Sequence, residues 1–254
     1  MSDKIKVLFL AADPFRDRAK LELEAEMRAI RRALMRGKAH DTLEMESHFG
    51  TRTRDLQAAL LDYRPDIVHF SGHGGKGGVL YLSDAAGNPT AVDKAALGKL
   101  FDLLDGGVRV VVLNACHTHS IVEVLRDIVD YAIGTNHAIT DEAAFTFSQA
   151  FYTALGSGAG VQQAFDLAVN QMELDGSEEA AVPVLRKQFG ADRRPLLDAP
   201  PAPAPQSAGG QHNKIGRIVA SNDIGFNAGG RSGAPGGQAN EIGHLSARDV
   251  KFNG

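Results

Sequence analysis

The only cysteine of the chain and one histidine occupy matching positions after two apolar runs. Cys116 follows the run at 108–115, and His73 follows the run at 66–71 and lies between two glycines. A thiol attacks as the thiolate, and a neighbouring imidazole can take its proton and later protonate a leaving amine. The attacked carbonyl becomes an oxyanion, for which the backbone N–H groups of Gly74 and Cys116 are candidate donors. These residues predict nucleophilic catalysis by a Cys-His dyad.

The apolar runs belong to an alternating pattern of strands and helices. Strands are predicted at 6–12, 42–49, 66–71, 79–82, 108–115 and 131–139, and helices at 21–34, 53–61, 94–104, 120–126, 141–155 and 161–172. This alternation is typical of an α/β fold, with a mostly parallel sheet flanked by helices on both faces. Because ligands bind at the shared rim of such strand ends, we expect His73 and Cys116 to meet there.

Two motifs together resemble a known family. HFSGHG around His73 and VVVLNACHT around Cys116 are similar to those of CHAT-domain peptidases, relatives of separase in the caspase-like clan of cysteine peptidases. The opening KVLFLAADP and the late run AIGTNHAITDEAAFTFSQAFYTALGSGAGVQQAFDLA are similar as well, so the likeness covers roughly residues 4–197. The resemblance implies a caspase-like sheet, with His73 as general base, Cys116 as nucleophile and Gly74 in the oxyanion hole.

The resemblance also implies an acidic residue before the late helix that shapes the pocket for the residue preceding the scissile bond. Asp141 occupies that position, and Glu142 follows it. Facing the cleft, these carboxylates would favour Arg or Lys through charge-assisted pairing. The alternative is that Asp141 serves only as the N-cap of its helix.

Two other kinds of site fit the residues less well. Cys116, His117 and His119 form a Cys-His-x-His cluster, but the sequence shows no four ligands at zinc spacing. Residues 72–77 match G-x-G-x-x-G by letter, but they lead into a predicted strand and not into the helix that a dinucleotide requires. We therefore expect no metal and no cofactor.

Composition and charge limit which partners and which cellular compartment are expected. The chain has 254 residues and a net charge of -4 without a long basic run, so no nucleic-acid partner is expected. No apolar stretch reaches the ~18 residues of a membrane span, and the N-terminus lacks the pattern of a secretory signal. A single cysteine fits a reducing compartment, and the expected location is the cytoplasm.

Composition also predicts the domain organisation. A peptidase domain at 1–198 is followed by a Pro/Ala/Gly linker at 199–210 and a Gly/Asn-rich tail at 211–254. The tail holds two short repeats at 213–227 and 240–253, in which NKIGRI and DIGFN return as NEIGHL and DVKFN. Either the tail is disordered, or the repeats are short β-forming segments that dock on this domain, a copy of it or another partner.

These features favour a cysteine endopeptidase that cleaves a protein partner, with preference for a basic residue before the scissile bond. The resemblance implies a role as a bacterial defence or cell-death effector. The Ile, Leu and Phe residues of the tail repeats favour a regulatory partner or self-association through the tail. One alternative is a catalytically idle caspase-like scaffold whose tail binds a partner. Another is a dormant protease activated by cleavage near the basic pairs at 186–187 and 193–194.

Overall fold

A computed structural model describes residues 4–17 and 20–197 of the chain. The predicted linker at 199–210 and the predicted repeats at 213–227 and 240–253 lie outside the described residues. The domain boundary at residue 198 therefore stays a prediction.

Strands and helices alternate through the described residues. The strands are β1 Ile5–Ala12, β2 Leu43–Phe49, β3 Ile67–Gly75, β4 Val79–Ser83, β5 Pro89–Asp93, β6 Val110–Asn114, β7 Tyr131–Thr135 and β8 Pro183–Lys187. The α-helices are α1 Leu23–Arg36, α2 Thr53–Tyr63, α3 Lys94–Leu103, α4 His119–Leu125, α5 Asp141–Gly156 and α6 Val161–Leu174.

The main sheet has the strand order β2-β1-β3-β6-β7-β8. The first five strands are parallel, and β8 pairs with β7 in the antiparallel direction at one edge. The hairpin of β4 and β5 continues from the end of β3. The predicted α/β class and the mostly parallel sheet are confirmed.

The sheet separates two apolar cores. Along β1 the side chains of Val7, Phe9 and Ala11 enter one core, and those of Leu8 and Leu10 enter the other. Helices α1, α5 and α6 cover the first face, and helices α2, α3 and α4 cover the second. A strand buried on both faces is expected to be apolar at successive positions, which explains the unbroken run in this sequence.

The clearest differences from the prediction concern three strands. Strand β3 continues to Gly75 instead of ending at Ser71, because its last residues pair with β4. Strand β7 ends at Thr135 instead of residue 139, because the backbone N–H of Asn136 turns to the carbonyl of Val182. Strand β8 was not predicted. It is a five-residue segment that begins with proline, which suits an edge strand but gives little periodicity.

Candidate active site

Strands β1, β3 and β6 lie side by side and run parallel, so their carboxyl ends open at one edge of the sheet. Asp13 directly follows β1, His73 lies near the end of β3, and Cys116 lies two residues beyond β6. The register pairs Ser71 with Asn114. His73 and Cys116 each lie two residues beyond this pair. They are therefore at the same edge of the sheet, where we expect them to meet.

The imidazole of His73 is held by a carboxylate and an aromatic ring. Its Nε2 lies 3.0 Å from Oδ1 of Asp13, and the two side chains are 14% and 11% exposed. Phe15 packs edge-on against the imidazole at 5.0 Å between centroids and also contacts Tyr81, which pairs with His73 across the hairpin. Because a carboxylate only accepts, we assign the hydrogen to Nε2, which leaves the lone pair on Nδ1.

Cys116 lies on a tight turn at the end of β6. The next residue, His117, has φ 57° in the left-handed region, and its N–H donates to the carbonyl of His137 at 3.1 Å. The backbone of Gly74 passes so close that a Cβ there would lie 2.0 Å from the carbonyl oxygen of Cys116. The thiol is half-buried, with Sγ 3.8 Å from the carbonyl oxygen of Ile139. The close approach of Gly74 explains why this position lacks a side chain.

A cavity of about 590 Å³ opens beside the thiol and the imidazole. The predicted site residues that line it are His73, Cys116, Asp141 and Glu142. Glu22 and Glu26 add two further carboxylates, and no Lys or Arg is found among the described residues that line this space. Most of the remaining lining side chains are apolar, namely Leu21, Leu23, Ala25, Ala115, Ile139, Ala144 and Phe145.

Asp141 lies in the first turn of α5 at the exposed rim of this cavity. Partial burial raises the pKa of its carboxyl group, although the charge of His73 acts in the opposite direction, and the charges of Glu26 and Asp13 raise it further. The interpretation of Asp141 as the helix N-cap is wrong. Thr140 is the N-cap residue, and its hydroxyl accepts the N–H of Ala143.

Sequence reasoning missed three acidic residues of this site. Asp13, Glu22 and Glu26 all lie between the end of β1 and the first turns of α1. One available signal was that Asp13 follows an apolar run directly, as Cys116 does. For Glu22 and Glu26 there was no such signal, because a Leu/Glu-rich amphipathic helix contains carboxylates at many positions that face solvent.

The remaining expectations concern metals, membranes and processing. In residues 4–17 and 20–197, no cluster of three or more His, Cys, Asp or Glu side chains is arranged to hold a metal ion. The helices within those ranges are too short or too polar to cross a bilayer. Of the basic residues proposed as cleavage points, Arg186 and Lys187 belong to β8, and the Arg186 Nε lies 2.6 Å from Oε1 of Glu123.

Comparison with known proteins places this geometry in a family. The family model of the CHAT domain matches residues 16–195. A "Probable protease" of Gillisia limnaea is 21% identical over 198 residues, which are 75% of this chain and 34% of that protein. A "Roc-COR-CHAT protease" from an unknown prokaryotic organism is 24% identical over 107 residues, which are 40% of this chain and 10% of that protein. This chain thus spans about a third or less of the length of these relatives.

A solved structure has a similar fold. The secreted C11 cysteine protease from Bacteroides thetaiotaomicron, in complex with an irreversible peptide inhibitor, aligns with a TM-score of 0.53 and 13% identity. The alignment covers 68% of this chain and 59% of that chain. At this identity the likeness concerns the fold, and it agrees with the caspase-like sheet that the motifs implied. The family match extends over most of the described residues, and the chain therefore belongs to the CHAT domain family.

Proposed function

We propose that this protein is a cysteine endopeptidase in which Cys116 is the nucleophile and His73 is the general base. The observation that carries the proposal is that the thiol and the Asp13-bound imidazole line one open cavity at the carboxyl edge of the sheet. The two relatives are both described as proteases, which supports the same activity.

The chemistry follows from the tautomer that Asp13 imposes. With hydrogen on Nε2, Nδ1 of His73 takes the thiol proton, and the Cys116 thiolate attacks the carbonyl carbon of the scissile bond. The carbon–nitrogen bond then breaks as His73 returns the proton to the leaving amine, which leaves a thioester on Cys116. Water activated by the same imidazole hydrolyses the thioester and restores the thiol.

The developing oxyanion needs donors that are already in place. The backbone N–H groups of Gly74 and Cys116 are our candidates, since the close contact between these two residues fixes their spacing. Gly74 is not among the residues that line the cavity. Its role in the proposal therefore lies in its backbone beside Cys116.

The charge of the cavity supports a basic residue immediately before the scissile bond. An aliphatic stem with a cationic head, as in Arg or Lys, matches apolar walls that end in carboxylates. Asp141 and Glu142 at the rim are the proposed partners of the cationic head. With its raised pKa, Asp141 remains a carboxylate over a narrower pH range than an ordinary aspartate.

We further propose a protein as the substrate and, through the resemblance of the chain, a role in bacterial defence or cell-death signalling. Residues 211–254 are the proposed contact for a regulatory partner or for self-association. Deletion of residues 199–254 tests the second part. Unchanged peptide cleavage, unchanged assembly and unchanged partner binding would remove the tail from this account.

The experiment for the central proposal is a fluorogenic peptide screen that varies the residue before the scissile bond. We expect cleavage by the wild type, with Arg and Lys preferred, and no cleavage by Cys116→Ala or His73→Ala. His40→Ala, which removes an exposed histidine outside the cavity, is the matched control and should cleave normally. Absence of cleavage by the wild type, or equal cleavage by Cys116→Ala, would favour the idle scaffold.

A further inference from the structure

We propose that Glu26 is a positioning residue, whose buried carboxylate joins the ends of β3 and β6 and so sets the placement of His73 against Cys116. This inference rests on the proposed function and assigns a role to a residue outside the dyad. Glu26 comes from α1, and its side chain reaches the sheet between the two strands that carry the dyad.

The geometry of the carboxylate is specific to the two strand ends. One oxygen of Glu26 accepts the hydroxyl hydrogen of Ser71 on β3. The other accepts the side-chain amide of Asn114 on β6 at 2.6 Å. Ser71 and Asn114 are register partners, and they precede His73 and Cys116 by two residues each. A single side chain therefore holds both strands at the last paired position before the reacting groups.

Glu26 has further partners below the cavity. The oxygen that accepts from Asn114 also lies 3.1 Å from Nε2 of His69, whose Nδ1 lies 3.2 Å from the hydroxyl of Tyr152. His69 is fully buried and stacks on Phe9 at 5.2 Å between centroids. The carboxylate thus connects α1, β3, β6 and α5 in one hydrogen-bonded set.

The charge state of Glu26 suits this role. Burial alone would raise its pKa, but hydrogen bonds from His69 and Ser71 and the charge of His69 hold the pKa below its ordinary value. A carboxylate accepts hydrogen bonds at both oxygens, so it can accept from Ser71, Asn114 and His69 together. The amide of glutamine has one accepting oxygen, and its NH2 group would face one of these donors.

The test exploits the fact that Cys116 is the only cysteine of the chain. Alkylation by iodoacetamide, followed by mass spectrometry between pH 6 and pH 9, reports on this thiol alone without a known substrate. We expect Glu26→Gln to slow alkylation at pH 7 about tenfold, because a displaced imidazole no longer takes the proton of the thiol. If the screen yields a substrate, kcat should fall more than KM rises.

Glu24→Gln is the matched control, because it removes the same charge from the same helix at a side chain that is 73% exposed. It should leave the alkylation profile unchanged. His73→Ala separates the two hypotheses. If His73→Ala leaves alkylation unchanged, the proposed function fails. If His73→Ala slows alkylation and Glu26→Gln only lowers the melting temperature, the positioning role alone is overturned.

A second variant covers the case in which Glu26→Gln does not fold. Ser71→Ala removes one strand contact and leaves the carboxylate with His69 and Asn114. We expect a smaller drop in alkylation rate at pH 7, about threefold, because one strand contact is lost and the other remains. A profile identical to wild type in folded Ser71→Ala, with Glu26→Gln unfolded, would overturn the proposal.

Discussion

The side chains of Asp13 and His73 meet at 3.0 Å although they are 60 residues apart in the chain. The two residues lie at the ends of adjacent parallel strands, so the sheet itself brings them together. Lys20 lies 3.4 Å from the second oxygen of Asp13, and its ammonium group is largely exposed. The carboxylate therefore faces His73 with one oxygen and a solvent-exposed cation with the other.

This pairing predicts that Asp13→Asn lowers kcat/KM by roughly 10- to 100-fold. An amide can offer N–H to Nε2 and favour the other tautomer, which would leave a hydrogen on the nitrogen that should act as the base. The measurement is cleavage of the best peptide from the screen. Asp17→Asn, in the same loop and exposed, is the control. Equal loss in both variants would contradict a specific role for Asp13.

Gly74→Ala should abolish cleavage and lower the free energy of unfolding by about 1–3 kcal/mol, which is the usual range for overpacking. The added Cβ would lie 2.0 Å from the carbonyl oxygen of Cys116, so the strand ends must separate. The measurements are peptide cleavage and urea denaturation. Gly160→Ala is the control, because a Cβ there meets nothing within 4 Å. Full activity in Gly74→Ala would contradict the close approach.

Asp141→Asn should lower kcat/KM roughly tenfold for peptides with Arg before the scissile bond. For peptides with a neutral residue at that position, kcat/KM should not change. The substitution removes the charge of the partner but keeps its shape, and a partly exposed ion pair contributes modestly. The measurement is the ratio of kcat/KM for matched peptides with Arg and Gln. Asp102→Asn, an exposed carboxylate on α3, is the control. An unchanged ratio would exclude Asp141 as the selecting residue.

The same preference for Arg should weaken as the pH falls. The pKa of Asp141 is raised, so its carboxylate becomes neutral at a higher pH than an ordinary aspartate, whose pKa is 3.8. The ratio for the Arg and Gln peptides should decline towards that of Asp141→Asn on acidification, with an inflection above 3.8. The peptide screen repeated across pH measures this ratio. If the ratio of kcat/KM for the Arg and Gln peptides did not change with pH, the Asp141 carboxylate would not be the group that selects Arg.

Glu26 should make the stability of the protein sensitive to acid. Its folded-state pKa lies below the ordinary value of 4.5, so its contribution is present above pH 4.5 and is lost as the pH falls through the folded-state pKa. Glu26→Gln should destabilise the protein by about 3 kcal/mol at neutral pH, because it leaves the buried imidazole of His69 without its carboxylate partner. Below pH 4.5 its melting temperature should then fall less steeply than that of wild type, as thermal melts from pH 7 to pH 3 would reveal.

Much of the fold was readable because a covered parallel sheet imposes a strong pattern. The apolar run of β1 and the helical spacing of α1 were predicted within two residues of their observed bounds. Strand β8 and the true end of β7 were missed. Their limits depend on the pairing of residues 131–135 with 183–187, and no local pattern encodes a pairing across that distance.

The sequence by itself predicted the dyad of His73 and Cys116 and determined the sheet and the family, since an apolar strand followed by a Gly-rich or Cys-containing turn is a local signal. Only the tertiary structure decided that Asp13 orients His73 and that Glu26 joins the two strand ends. The physical reason is that a carboxylate on an amphipathic helix looks the same in sequence whether it faces water or a buried set of donors. The packing of α1 against the sheet makes that choice.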